Sequence, residues 1–135
     1  MGNALTKADL FKGTAHYLHD NYRYLSVPHN SYYCCYQLLR RIWLESMSKT
    51  QDQLDSECSQ TNVGSHNYLT NQVVAHIMNS QKRDSLQDSR TIRDKLKQLK
   101  RLREQADYYD DNFTIDQSNQ ALSLMRDIEP LLKKY

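Results

Sequence analysis

Apolar positions recur at helical spacing along most of the chain, and five helical segments are predicted from them. The first runs from about Leu5 to Tyr22, with Phe11, Ala15, Leu18 and Tyr22 as its apolar face and Thr6 and Asp9 at capping-box spacing. Pro28 closes the linker that follows. The second starts near Asn30 or Ser31 and ends near Ser48. Its apolar residues (Tyr32, Cys35, Tyr36, Leu38, Leu39, Ile42, Trp43 and Met47) cover so wide an arc that the helix belongs at the centre of a bundle. The third runs from Ser65 to about Ser80, with Leu69, Val73 and Ile77 as its stripe and His66 on the same side. The fourth spans about Ser85 to Tyr109. The fifth starts at Thr114, where Thr114 and Gln117 repeat the capping-box spacing, and Ala121, Leu122, Met125, Ile128 and Leu132 carry it to the end. Pro130 is expected to kink it or restart its last turn.

Residues 49–64 are polar and aperiodic and read as an exposed, flexible loop. There is no internal repeat and no sustained heptad pattern. The order of helices and short loops predicts an all-α, antiparallel up-and-down bundle of about five helices, one domain over residues 1–135.

Composition supports this. Three glycines and two prolines are too few for a turn-rich sheet protein. Three cysteines, of which Cys34 and Cys35 are adjacent, form neither a disulfide framework nor a paired metal motif, so a reducing, cytoplasmic setting is expected. No apolar run is long enough for a membrane span. Met1-Gly2 followed by Thr6 fits the bare myristoylation pattern, which a threonine at a helix start also explains.

Charge is unevenly placed although the net value is only +2. Lys82 to Arg103 holds nine Lys or Arg against three Asp, whereas Glu104 to Glu129 holds seven acidic residues and one Arg. Helix-dipole complementarity accounts for much of this. A basic ridge of Arg93, Lys97, Lys100 and Arg101 suited to phosphates is the functional alternative. Ten tyrosines, among them Tyr32, Tyr33, Tyr36, Tyr108 and Tyr109, suit core and interface packing first and base stacking second.

Enzyme templates find little support. His16 and His19 lie one turn apart, but only Asp20 is near and no further ligand completes a zinc site; no metal or cofactor is expected. Ser31, Cys34 and Cys35 lack a glycine-rich elbow or phosphate loop, and the cysteines read as small apolar packing residues. His66, in the first turn of its helix and on the inward side, reads as a hydrogen-bonded core histidine or as one wall of a polar pocket.

The sharpest feature is Arg103. At roughly 100° per residue, Ile92, Leu96, Leu99, Leu102 and Ala106 share one face of the fourth helix, and Arg103 falls in the middle of it with Asp107 one turn on. A charge on a packing face needs a partner, a ligand or an interface. The pair is either a salt bridge fixing register or part of a pocket with His66 and a tyrosine of the second helix.

Ser31-Tyr32-Tyr33 on the apolar second helix, Ser65-His66 opening the third, and Leu102-Arg103-Glu104-Gln105-Ala106-Asp107-Tyr108 ending the fourth resemble HEPN-domain proteins (higher eukaryotes and prokaryotes nucleotide-binding). The likeness is to the small prokaryotic branch with an Arg-x-x-Ala-Asp-Tyr signature, and covers about Ser31 to Leu132. It implies an all-α bundle that commonly forms a homodimer. Many such proteins are metal-independent ribonucleases using an arginine followed four to six residues later by a histidine. Others bind RNA or nucleotides, and some act beside a nucleotidyltransferase in toxin–antitoxin pairs. This chain departs from the nuclease pattern, because Tyr108 stands five residues after Arg103 and no histidine follows His76. A phenol is a poor proton-transfer group at neutral pH compared with an imidazole. Arg23 and His29 have the nuclease spacing, but a chain with nine arginines and five histidines produces such a string about once by chance.

The leading expectation is therefore a non-catalytic HEPN-like binding protein. Its ligand would be RNA, a nucleotide or a nucleotidyltransferase partner. Arg103 anchors the site, Asp107 orients it, and His66, Tyr33 and Tyr108 are its neighbours. A ribonuclease toxin with a degenerate motif and a purely structural dimer are the alternatives.

Overall fold

The apolar arc of the second segment decides the architecture. In the computed structural model, which describes residues 3–108 and 112–135, that segment is the helix around which the others pack. Six α-helices are present among the described residues: α1 (Asn3–Asp20), α2 (Val27–Arg41), α3 (Gln51–Ser59), α4 (Ser65–Met78), α5 (Ser85–Tyr108) and α6 (Ile115–Lys133). A short 3₁₀ turn at Tyr24–Ser26 precedes α2, and a π turn at Ile42–Ser46 extends it. There is no strand among the described residues.

α2 packs against α1, α5 and α6. Cys34, Cys35, Leu38, Leu39, Ile42 and Trp43 are all buried on it, and each large apolar side chain so enclosed contributes roughly 1.5–3 kcal/mol. The helix begins earlier than expected. Pro28 lies in its first turn rather than in a linker, a position where the missing N–H has no intrahelical partner to lose. α1 meets the core through Ala4, Ala8 and Ala15, with Phe11 and Leu18 half-buried. Its helix is already under way at Asn3, so Thr6 lies inside it and does not cap it. Tyr22, assigned to the apolar face, is 80% exposed, with a positive φ of 62° just past the helix end. Gly2 and Tyr109, named in the sequence expectations, lie outside the described residues.

Residues 49–64 are the main correction. They carry α3, which raises the helix count from five to six. Thr50 and Gln53 form a complete capping box: the Gln53 amide donates to Thr50 Oγ1 (3.1 Å) and the Thr50 amide donates to Gln53 Oε1 (2.7 Å). Trp43 Nε1 donates to the Thr50 carbonyl at 2.8 Å, and Leu54 is buried. With only one apolar anchor the helix shows no periodicity in sequence, but its start signal is present. The second expected box is present at α6, where the Gln117 amide donates to Thr114 Oγ1 at 3.2 Å. α6 runs through the exposed Pro130 to Lys133, so its last turn is not a separate helix.

The chain end is tied down by polar contacts. Tyr135 Oη donates to the buried Asp88 Oδ2 at 2.6 Å, Lys134 Nζ reaches the same oxygen at 3.0 Å, and Ser46 Oγ donates to the Tyr135 carbonyl. No described helix is long and apolar enough to cross a membrane.

Thr50→Ala should destabilise the protein by about 1 kcal/mol in urea denaturation. It should also speed amide exchange across Gln51–Ser59 selectively. Exchange in that segment that is fast in both wild type and variant would contradict a capped α3.

Candidate phosphate-binding groove

The expected packing face of α5 is observed: Ile92, Leu96, Leu99, Leu102 and Ala106 are buried. Arg103 lies on the same face but is partly buried, its side chain 13% exposed. Its guanidinium carbon sits 5.0 Å from the ring centroid of Tyr32 on α2, a cation–π arrangement. Arg103 Nη1 lies 3.5 Å from Asp107 Oδ2, longer than a charge-assisted hydrogen bond. Arg103 Nε is buried and has no hydrogen-bond partner among the described residues. Asp107 therefore offsets part of the charge and leaves donors of the guanidinium unused.

His66, in the first turn of α4, completes the cluster. Its imidazole lies 4.3 Å from the Tyr36 ring and 5.6 Å from the Tyr32 ring, with Tyr33 edge-on at 5.5 Å. Tyr32 Oη and His66 Nδ1 share a hydrogen bond at 3.3 Å whose direction follows the tautomer. Burial pushes the His66 pKa down, and the nearby Arg103 and Lys100 charges push it further. Burial holds the Tyr32 phenol protonated far above neutrality, and Tyr36 is raised for the same reason. Beside the Arg103–Asp107 pair, the His66, Tyr32 and Tyr36 side chains are thus uncharged at neutral pH.

Two adjoining cavities open beside it. The smaller, about 290 Å³, is lined by Gly64, Ser65, His66, Asn67, Lys100 and Arg103. The larger, about 360 Å³, lies between α4 and α5. All four ridge residues (Arg93, Lys97, Lys100 and Arg101) line it, with Asn67, Thr70 and Asn71 on the α4 wall and Tyr32 and Leu96 among its apolar lining. Glu104 also borders it. Lys100 Nζ donates to Asn67 Oδ1 at 2.8 Å, and these two residues line both cavities. Gly64, the N-cap residue of α4, supplies no side-chain cap to the first amides of the helix.

The structure thus brings together Arg103, Asp107, His66 and the ridge. Tyr33 packs at tilted angles among Phe11, His29 and Tyr36, edge-on to His66, and lines neither cavity. Tyr108 is 73% exposed and lines neither. Tyr32, Tyr36, Asn67, Thr70 and Asn71 were missed as site residues. Tyr32 and Tyr36 are four apart on α2, and Asn67, Thr70 and Asn71 share one polar face of α4, a pattern that also fits an ordinary solvated surface.

The other candidate centres do not assemble. His16 is exposed, His19 Nδ1 pairs with Ser118 Oγ at 2.7 Å, and no group of three metal ligands exists among the described residues. Burial pushes the Cys34 thiol up to about 12 and Cys35 higher than usual, as packing residues rather than nucleophiles. No protein-family model matches the chain, and neither a curated protein nor a solved structure gives a significant match.

The depressed His66 pKa makes stability depend on pH. Above about 6.5 the imidazole is neutral in folded and unfolded chains and contributes nothing. As pH falls below that value the unfolded chain takes up the proton first, so stability is lost with acidification. Urea midpoints should therefore fall less for His66→Gln than for wild type between about pH 7.5 and about pH 5. Parallel pH profiles would contradict a His66 held neutral by the fold.

Proposed function

We propose that the protein binds a phosphate-bearing ligand, RNA or a nucleotide, in the groove between α4 and α5, without reacting it. The observation that carries this is the largely enclosed Arg103, whose buried Nε has no partner among the described residues and whose cavity also holds Lys100 and His66. Burying a cation is costly unless its donors are used, and a phosphate uses them bidentately. The ridge residues in the adjoining cavity extend the positive surface along α5. Membership of a HEPN-like class is part of the same proposal, supported by the Arg103-x-x-Ala106-Asp107-Tyr108 string on α5 and by Ser65-His66 opening α4 against it. So is a cytoplasmic homodimer, alone or with a nucleotidyltransferase partner. Leu10 and Tyr17, one face of α1 and about two-thirds exposed, offer apolar surface for such contacts.

One observation favours a second reading, a metal-independent ribonuclease. His66 lines the cavity of Arg103 although it precedes it in sequence by far more than the family spacing. In that case His66 takes the role of the missing histidine, in place of Tyr108.

Fluorescence polarisation with a labelled single-stranded RNA tests both. Binding should weaken with salt, and Arg103→Gln should lower affinity by about tenfold or more. Lys97→Gln and Arg101→Gln should each reduce the salt slope by about 0.7 if each neutralises one phosphate. Unchanged affinity in Arg103→Gln would overturn the assignment and leave the Arg103–Asp107 pair as structural. RNA that stays intact on prolonged incubation supports binding alone; cleavage lost in both Arg103→Gln and His66→Gln supports the nuclease.

A further inference from the structure

We infer that His66 is a neutral hydrogen-bond donor to the bound anion, offering Nε2–H to the Arg103 cavity, and that the Tyr32 hydroxyl is the positioning group that fixes this tautomer. This rests on the phosphate-binding reading above and adds a residue of defined role to its anion seat.

A neutral imidazole carries one proton, so one ring nitrogen donates and the other accepts. The bond that one nitrogen makes sets the role of the other. His66 Nδ1 is engaged by Tyr32 Oη at 3.3 Å, and Nε2 has no hydrogen-bond partner among the described residues. The direction of the shared bond therefore decides what His66 offers the cavity. Tyr32 is a buried residue whose hydroxyl has no other partner among the described residues, and a buried hydroxyl gives its proton to an acceptor within reach. Burial keeps the phenol protonated, so the proton is there to give. The Arg103 guanidinium over the Tyr32 ring favours the same direction, because donation raises the electron density on the phenol oxygen and a nearby cation stabilises it. Tyr32 thus donates to a bare Nδ1, and the imidazole proton sits on Nε2.

The consequence is a seat of donors. Arg103, His66, Lys100 and Asn67 line one cavity. Arg103 has its unpartnered Nε–H to offer, His66 its Nε2–H and Lys100 its ammonium; Asn67 has committed Oδ1 to Lys100, which leaves its amino group. Oxygens of an anion satisfy such a set. The other tautomer would present a bare nitrogen, an acceptor that suits water or a hydroxyl and repels an anion. Nor can a nitrogen that carries a proton take one, so this tautomer gives the cavity no general base.

Long-range proton–nitrogen correlation of the histidine rings in the whole protein reads the tautomer, with the His66 signals assigned from a His66→Ala sample. Above the ordinary histidine pKa of about 6.5 the wild type should show a protonated Nε2 and a bare Nδ1. Tyr32→Phe keeps the ring under Arg103, and in it the bare Nδ1 signal should move downfield because its hydrogen bond is gone. His66→Ala should weaken binding of the labelled single-stranded RNA by about tenfold, the effect of losing one hydrogen bond to a charged group. A wild-type proton on Nδ1, an Nδ1 signal unmoved in Tyr32→Phe, or full affinity in His66→Ala would each overturn the inference. If Arg103→Gln still loses affinity alongside any of those results, the phosphate-binding reading stands without it; no RNA binding by the wild type would sink both. Should Tyr32→Phe fail to fold, the wild-type tautomer and the His66→Ala affinity decide.

Discussion

A guanidinium inside an apolar seam is the constraint on which the site depends. Arg103 occupies a position that Leu99 and Leu102 would lead one to fill with a hydrocarbon. The surroundings are built to tolerate it: the Tyr32 ring faces the charge, Asp107 approaches from the next turn, and His66 is held neutral nearby. These contacts join α2, α4 and α5 at one point. They offset the charge incompletely, since the ion pair is long and Nε has no partner among the described residues. An unpaired buried polar group costs about 1–3 kcal/mol, and Arg41 Nε carries the same cost elsewhere in the fold. What sets Arg103 apart is the cavity it lines.

The positive surface of α5 gains meaning from this point rather than from its net charge. Lys97, Lys100 and Arg101 on an isolated helix would be ordinary solvated cations near a helix C-terminus. Packed against the Asn67–Asn71 face of α4 they line a cavity. Lys100 is drawn across the groove by Asn67, which fixes a cation beside the mouth of the Arg103 cavity. Attraction along the ridge and capture at Arg103 are separate contributions. The first is screened by salt and the second, being buried, much less so.

Most of the helical architecture is legible in the sequence because its signals are local. The α2 arc, the α5 stripe and the Thr114 box each depend on residues within one or two turns. α3 was missed as a helix because a nine-residue helix with one buried leucine has no period to detect, although its capping box could have been found at Thr50 and Gln53. The inward placement of Arg103 and His66 follows from helical phase. Which tyrosine they meet does not. Tyr33 was as plausible as Tyr32 from spacing alone; His66 meets both rings but Arg103 sits over Tyr32, and that choice is made by how α2 rotates against α4 and α5, a tertiary property. The same holds for Asn71, an unremarked polar residue until α5 packs beside it.

The claim that Arg103 is an anion anchor and not a register pin is tested most directly on its own side chain. Nitrogen-edited NMR of the arginine Nε–H groups, with the Arg103 signal assigned from an Arg103→Lys sample, reports on that donor. In the free protein its Nε–H should exchange slowly with water, as a buried donor does. On titration with a single-stranded RNA or a nucleoside bisphosphate it should shift downfield, more than the signals of Arg93 or Arg101. A ligand that binds and shifts the ridge arginines while the Arg103 Nε–H stays where it was would contradict the claim.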